Sequence, residues 1–428
     1  MERSVDLPGF KRFFVAILFS VFFACYVVYC NHVHVSDGSR TFFLLFYPAT
    51  AALLAVVLQL FTEDFKNSQL AIVTQAAGHA IWFGVSLYVT HVDELSHPQW
   101  IAVFATLAVM VMSVFLICFY RKGDDVPFWS FSKRILNRFF MVVMACGAAA
   151  MVIMMILETV DYLFCDNGIS AIWYYDIMIV CLLLVAPVVF IHLIPGGREK
   201  FTAAQEELME SSSHFASQVF IFIMAIYLVV LYVYAAMILV KWDLPKGGVS
   251  VMVSGCVLSM LAVIFDTFPI QCRESDSGLK RVLRWLPAVM LPLLVLMSVA
   301  IGRRLSDYGI TVSRLYVVVF NVWCYAVCIG LLLCRNKRIW WIPASFAVLL
   351  LLTSVGPQGI PNMTKHLLKR EVRAALVKTG VEKFPMNYDD YKFHLQVMDP
   401  DVAKSIKDKV IYLEETYGNE TTQDIYGV

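Results

Sequence analysis

Along this chain the apolar residues come in blocks of about 20, set apart by short polar intervals, and not at the three-or-four spacing of a helix wetted on one side. A helix rises about 1.5 Å per residue, so one block matches the roughly 30 Å of hydrocarbon in a bilayer. The pattern predicts spans over Phe13–Cys30, Thr41–Phe61, Gln69–Thr90, Trp100–Tyr120, Phe139–Val160 and Ala171–Ile194. It predicts more over Val219–Val240, Val249–Phe268, Leu286–Ile301, Leu315–Cys334 and Ile339–Val355. The fold class is all-α, a polytopic helical membrane protein of about 11 transmembrane helices. Met1–Arg12 places Arg3, Lys11 and Arg12 before the first block, as a signal peptide would. That block is long and no small-residue cleavage site follows it, so it reads as an uncleaved span.

Two stretches depart from this rhythm. Leu286–Ile301 is short and holds Pro287 and Pro292, which predicts a helix that kinks or begins late. Gly196–His214 has Phe201, Ala204 and Leu208 at helical spacing among polar neighbours, and is read as a solvated connector in preference to an amphipathic helix.

After the last block the pattern changes, dividing the chain into a transmembrane domain over 1–355 and a short helical soluble tail over 356–428. Asn362 is placed to cap a helix running to about Lys378 and stopped by Gly380, with Leu367, Leu368, Val372, Ala375 and Leu376 on one face. Asp399 followed by Pro400 opens a second helix to about Tyr417, striped by Val402, Ile406, Val410 and Leu413. The aromatic-rich Phe384–Val397 between them is predicted to be extended. A piece this small has a marginal core, so the tail is expected to lie against the membrane domain.

Composition agrees with the pattern: 60% of residues are hydrophobic and 16% charged. The formal net charge of +1 supplies no field for nucleic acid, and the partner implied by most of the surface is the lipid bilayer. The 11 cysteines form no CxxC pair and read as small packing residues; a Cys30–Cys165 bridge is left open. With the N-terminus inside, the inner segments hold three times as many Lys and Arg as the outer loops. Eleven spans then put the C-terminus outside, together with the arginines of the loop Gly302–Arg314.

Ionisable residues inside spans are costly and mark sites or pairs. Glu158 and Asp161 share a face at the outer end of the fifth span, and Asp176 lies near the outer end of the sixth. These three carboxylates read either as a cation or proton site or as a clamp onto Arg303, Arg304 and Arg314. His79 lies deep in the third span, and His32, His34, His91, Asp93, Glu94 and His97 lie beyond span ends, without zinc-site spacing. No metal or cofactor is assigned, and GxxxxGK[ST], GxGxxG and GxSxG are missing.

Gly302–Arg314 joins dense charge to turn chemistry between two spans. Tyr308-Gly309 is a turn signal, Thr311 is placed to cap the next helix, and Arg303, Arg304 and Arg314 flank the turn. The run Arg304-Leu-Ser-Asp-Tyr308-Gly309-Ile-Thr311-Val-Ser-Arg314-Leu-Tyr316 resembles the R(I/L)xxYGxTxxRxY pattern of a bacterial membrane-protein family, domain of unknown function 4153. The likeness extends to spans on both sides, to Gly356-Pro357 and to a helical tail, although Thr364-Lys365-His366 departs from the Ser/Gln-containing helix start that the family pattern leads one to expect. It implies a multi-pass protein of the bacterial cytoplasmic membrane and no defined activity. The residues are read as a non-enzymatic envelope protein whose outer basic loop binds a small anionic ligand or a partner protein. The alternative is an ion- or proton-coupled transporter using Glu158, Asp161 and Asp176.

Overall fold

Lipid cannot hydrogen-bond a backbone, so each apolar block must satisfy its own amide groups, and a helix does so within the segment. The computed structural model of the chain describes residues 9–33, 38–92, 96–119, 125–164, 169–196, 214–241, 248–272, 278–356, 358–381 and 383–427. Its apolar helices are α1 Phe14–His32, α2 Ser39–Thr62, α3 Ser68–His91, α4 His97–Leu116, α5 Asp125–Phe164 and α6 Ala171–His192. They continue as α7 His214–Lys241, α8 Val249–Asp266, α9 Gly278–Tyr308, α10 Val312–Leu333 and α11 Trp341–Ser354. The chain is an all-α polytopic membrane protein. Among the described residues, 10 helices are long and apolar enough to cross a membrane. The eleventh expected span is the shorter α11, of 14 residues. The connector Gly196–His214, Cys165, His34, Asp93, Glu94 and Pro357 lie almost wholly or wholly outside the described residues.

The chain falls into two compact units, one of Met1–Glu94 with Leu107–Ser211 and one of Leu95–Thr106 with Ser212–Val428. In the first, α1 lies against α2 and α6, α2 against α3, and α5 against α6. In the second, α9 lies against α8 and α10.

The long helices differ from expectation in three places. α5 begins at Asp125, well before Phe139, because Phe128, Trp129, Ser130, Phe131 and Ser132 are buried and the Lys133 ammonium sits over the Trp129 ring. α6 is not uniformly α-helical: Val180–Val185 forms a π turn just before Pro187, which has no N–H to give the preceding turn. α9 does not begin late; it starts at Gly278 and carries both prolines inside. Pro287 cannot donate to the carbonyl four residues back, that of Leu283. The side chain of Asn336 takes that place, its Nδ2 donating to Leu283 O at 2.8 Å. Asn336 is fully buried in the α10–α11 turn at φ +57°, a conformation Asn tolerates better than most residues.

α11 runs back along α10. At one end the Trp341 ring closes on Gly330, leaving no room for a Cβ; at the other the Tyr316 hydroxyl donates to Ser354 Oγ at 2.8 Å. The tail follows as α12 Ile360–Val377, strand β1 Met386–Asn387, α13 Tyr388–Val397, α14 Pro400–Tyr417 and strand β2 Tyr426–Gly427, parallel to β1. α12 starts ahead of Asn362, at Ile360, with Pro361 in its first turn, while Asn362 Nδ2 reaches back to Gly356 O. Phe384–Val397 is not extended but mostly α13, which buries Tyr391 against the core. Asp399 caps α14 as expected, accepting from Asp401 N at 3.0 Å. Leu368, Val372, Leu376, Ile406, Val410, Leu413 and Ile425 form the tail core, whereas Val402 is exposed.

Candidate functional site

The turn between α9 and α10 is assembled from backbone geometry and from the tail. α9 closes with the Gly309 N–H donating to Leu305 O at 3.1 Å, and Gly309 takes φ +74°, which a side chain would resist. Arg314, in the first turn of α10, sends Nη1 back to the Gly309 carbonyl at 2.6 Å. Arg303 pairs along its own helix with Asp307 at 3.5 Å, both half exposed. Arg304 is partly buried on the same turn, and the side chain of Tyr308 lies outside the described atoms.

Thr311 stands at the N-cap with extended backbone but makes no capping bond; its hydroxyl lies 3.4 Å from Ser313 Oγ. A first-turn N–H still needs an acceptor. The Val312 N–H finds one outside the segment, donating to the Tyr412 hydroxyl of α14 at 3.1 Å. The Lys409 stem passes 3.9 Å from where a Gly309 Cβ would stand, and its ammonium pairs with Glu371 of α12 at 2.9 Å. The tail therefore sits on this turn, at the same end of α10 and α11 as Tyr316 and Ser354.

The three carboxylates lie in the first unit, and Glu158 and Asp176 have hydrogen-bond partners there. Glu158 accepts from the Tyr174 hydroxyl of α6 at 2.7 Å. Asp161, one turn on, has a buried Oδ1 without a hydrogen-bond partner. Asp176, two residues past Tyr174, points to the other side of α6. There it accepts from Asn31 Nδ2 at 2.8 Å and meets His32 Nε2 at 2.6 Å, with Trp173 edge-on to the imidazole. Asn31 and Tyr174 were not picked out as partners in the sequence; no period links α1 to α6. His79, deep in α3, packs against the Phe19 ring with a buried Nδ1 lacking a partner.

The opposite end of that bundle carries permanent charge. Arg12 forms a two-pronged pair with Glu63 at the end of α2, Nη2 to Oε2 being 2.9 Å. Its Nη1 also donates to Ile194 O at 2.9 Å, and Arg138 donates to Leu193 O. Two guanidiniums thus meet the free carbonyls ending α6, where the helix dipole favours cations.

Among the described residues, ten helices long and apolar enough to cross a membrane define a multi-pass helical membrane protein. The family model "Domain of unknown function (DUF4153)" matches residues 13–360, and the chain belongs to that family. No curated protein and no solved structure matches the chain. The matched region contains the whole α9–α10 turn and ends where α12 begins.

Proposed function

We propose that this is a non-enzymatic envelope protein of the bacterial cytoplasmic membrane, in which the α9–α10 turn and the tail together form a ligand- or partner-binding face. In this reading 1–355 is the membrane domain, 356–428 the soluble tail, the N-terminus is cytoplasmic and the tail extracytoplasmic. The observation that supports it most is the Tyr412 hydroxyl on the Val312 N–H, which fixes a charged surface of the tail beside the arginine turn. Gly309, Arg314 and Tyr316 shape and hold this corner, and Arg303, which also pairs with Asp307, and Arg304 stand on the same turn as the candidate contacts for a small anion or an acidic partner.

One cysteine at Ser306 and one at Ser405, each alone in a cysteine-free background, test the shared face with a membrane-impermeant thiol reagent on intact cells. Both positions are exposed. Labelling of both supports an outer binding face. Labelling of only one breaks the shared face, and labelling of neither in a folded protein reverses the orientation.

The second reading, a proton- or ion-coupled transporter, draws on Asp176, an acid within a span held by Asn31 and His32. In proteoliposomes, loss of pH-driven flux in Asp176→Asn at unchanged folding would favour transport over the binding reading.

A further inference from the structure

α12 has two faces. Thr364, Leu368, Val372 and Leu376 turn inward, while Met363, His366, Arg370, Ala374 and Val377 form an exposed stripe at helical spacing. Two clefts of about 530 and 390 Å³ lie along that stripe, both lined by His366 and Arg370. Together they make one groove from Gln358, in the link after α11, to Asp424.

The groove is unevenly charged. Lys369 Nζ meets Asp424 Oδ2 at 2.8 Å, and Arg373 donates to the Asp424 carbonyl at 3.0 Å with its carboxylate 3.8 Å away. One carboxylate therefore serves two cations. Arg370, exposed at the centre of the groove, has no ion pair or hydrogen bond among the described residues. Burial, then the Lys369 charge, lowers the Lys365 ammonium below its ordinary range, with Asp424 opposing the shift.

Position narrows the ligand. Gln358 is four residues beyond Ser354, the end of α11, at most about 14 Å of chain. Leu352 and Val355 at the end of α11 and Met363 at the groove mouth are all exposed apolar side chains. A basic groove opening beside a membrane helix suits an anion tethered to an acyl chain better than a free one.

We infer that the α12 groove holds the phosphate headgroup of an anionic membrane lipid, with Arg370 as its principal contact, Lys369 and Arg373 beside it, and the acyl chains along α11. The inference deepens the binding-face reading, on which it rests, by naming a ligand class for the tail.

Native mass spectrometry of the full chain, released from nanodiscs of phosphatidylglycerol and phosphatidylcholine, tests it. One phosphatidylglycerol should be retained in preference to phosphatidylcholine. Arg370→Gln should lower that retention about tenfold and Arg370→Lys less, with folding unchanged because the side chain is exposed. Lys404→Gln, exposed elsewhere on the tail, should have no effect. Equal retention of the two lipids, or an equal loss in Lys404→Gln and Arg370→Gln, overturns the inference. Displacement of the lipid by millimolar inorganic phosphate would make the groove a site for a soluble anion and overturn the lipid assignment. Failure here with both Ser306 and Ser405 reporters still labelled removes the lipid and leaves the shared face standing.

Discussion

Helices α3 and α12 use similar apolar residues and turn them in opposite directions. α3 exposes Leu70, Ile72, Val73, Ile81 and Phe83 and buries only Trp82, Ser86, Val89 and Thr90 among its described residues. α12 buries Leu368, Val372 and Leu376 and exposes His366 and Arg370. In lipid, exposing a side chain such as Ile81 has no hydrophobic cost, so spans associate through close packing and a few hydrogen bonds. On α3 these bonds are Trp82 Nε1 to Thr50 Oγ1 at 2.8 Å and Gln75 Nε2 to both Thr62 Oγ1 at 2.6 Å and Gln59 Oε1 at 3.0 Å. In the proposed arrangement the tail meets water, and burial of apolar area is then its main source of stability. One chain thus contains two regimes, and the same kind of substitution should have different consequences in each.

The largest effect is expected in the water-facing regime. Leu376→Ala removes a fully buried side chain from the tail core and should cost on the order of 2–5 kcal/mol. Hydrogen exchange on the full chain in detergent should show α12, α13 and α14 losing protection together while α1–α10 keep theirs. Unchanged protection in the tail would mean that its core is not held by apolar burial. Next comes Asn336→Leu, in the lipid regime. It leaves the Leu283 carbonyl, freed by Pro287, without a donor, and puts a less tolerant residue at φ +57°. A loss of about 3 kcal/mol is expected, read as a lower unfolding midpoint of the purified protein. Pairing it with Pro287→Ala should recover part of the loss, because the α9 backbone then supplies its own donor. No recovery would separate Asn336 from the proline.

This contrast also explains what could be read in advance. Length and polarity alone locate the apolar helices, because the bilayer sets one dimension for every span. Gly309 and the Asp399-Pro400 pair were legible because turns and caps are local chemistry. The start of α5 was not, because Ser130, Ser132 and Lys133 look like loop residues until Trp129 and Phe131 are seen buried beside them. α13 was missed for a related reason: its aromatic residues suit a strand, and the burial of Tyr391 against Tyr426 that favours the helix is a long-range contact. At the candidate site the Gly309 turn was legible, but the expected Thr311 cap makes no capping bond and the main external partner was not legible. Tyr412 is 100 residues from Val312 and shares no pattern with it.

Smaller effects sharpen the comparison. Trp82→Phe keeps most of the ring and removes the bond to Thr50, so in the lipid regime it should cost no more than about 1 kcal/mol. A loss as large as that of Leu376→Ala would erase the distinction between the two regions.

The smallest expected effect belongs to the rim of the tail and depends on pH. The hydrogen bond from Lys369, then its charge, holds the Asp424 carboxyl below its ordinary range, with Arg373 adding to the shift. A carboxyl whose folded pKa is depressed contributes stability above its unfolded pKa of about 3.9 and loses it as pH falls through the folded value. Asp424 is largely exposed, so solvent screening keeps that contribution under about 1 kcal/mol. Protection of α12 against hydrogen exchange should therefore fall slightly more steeply below about pH 4 in the natural chain than in Asp424→Asn. The variant should be a little weaker at neutral pH, and the two should converge in acid. Parallel curves would show that the ion pair contributes nothing, leaving the tail held by its apolar core alone.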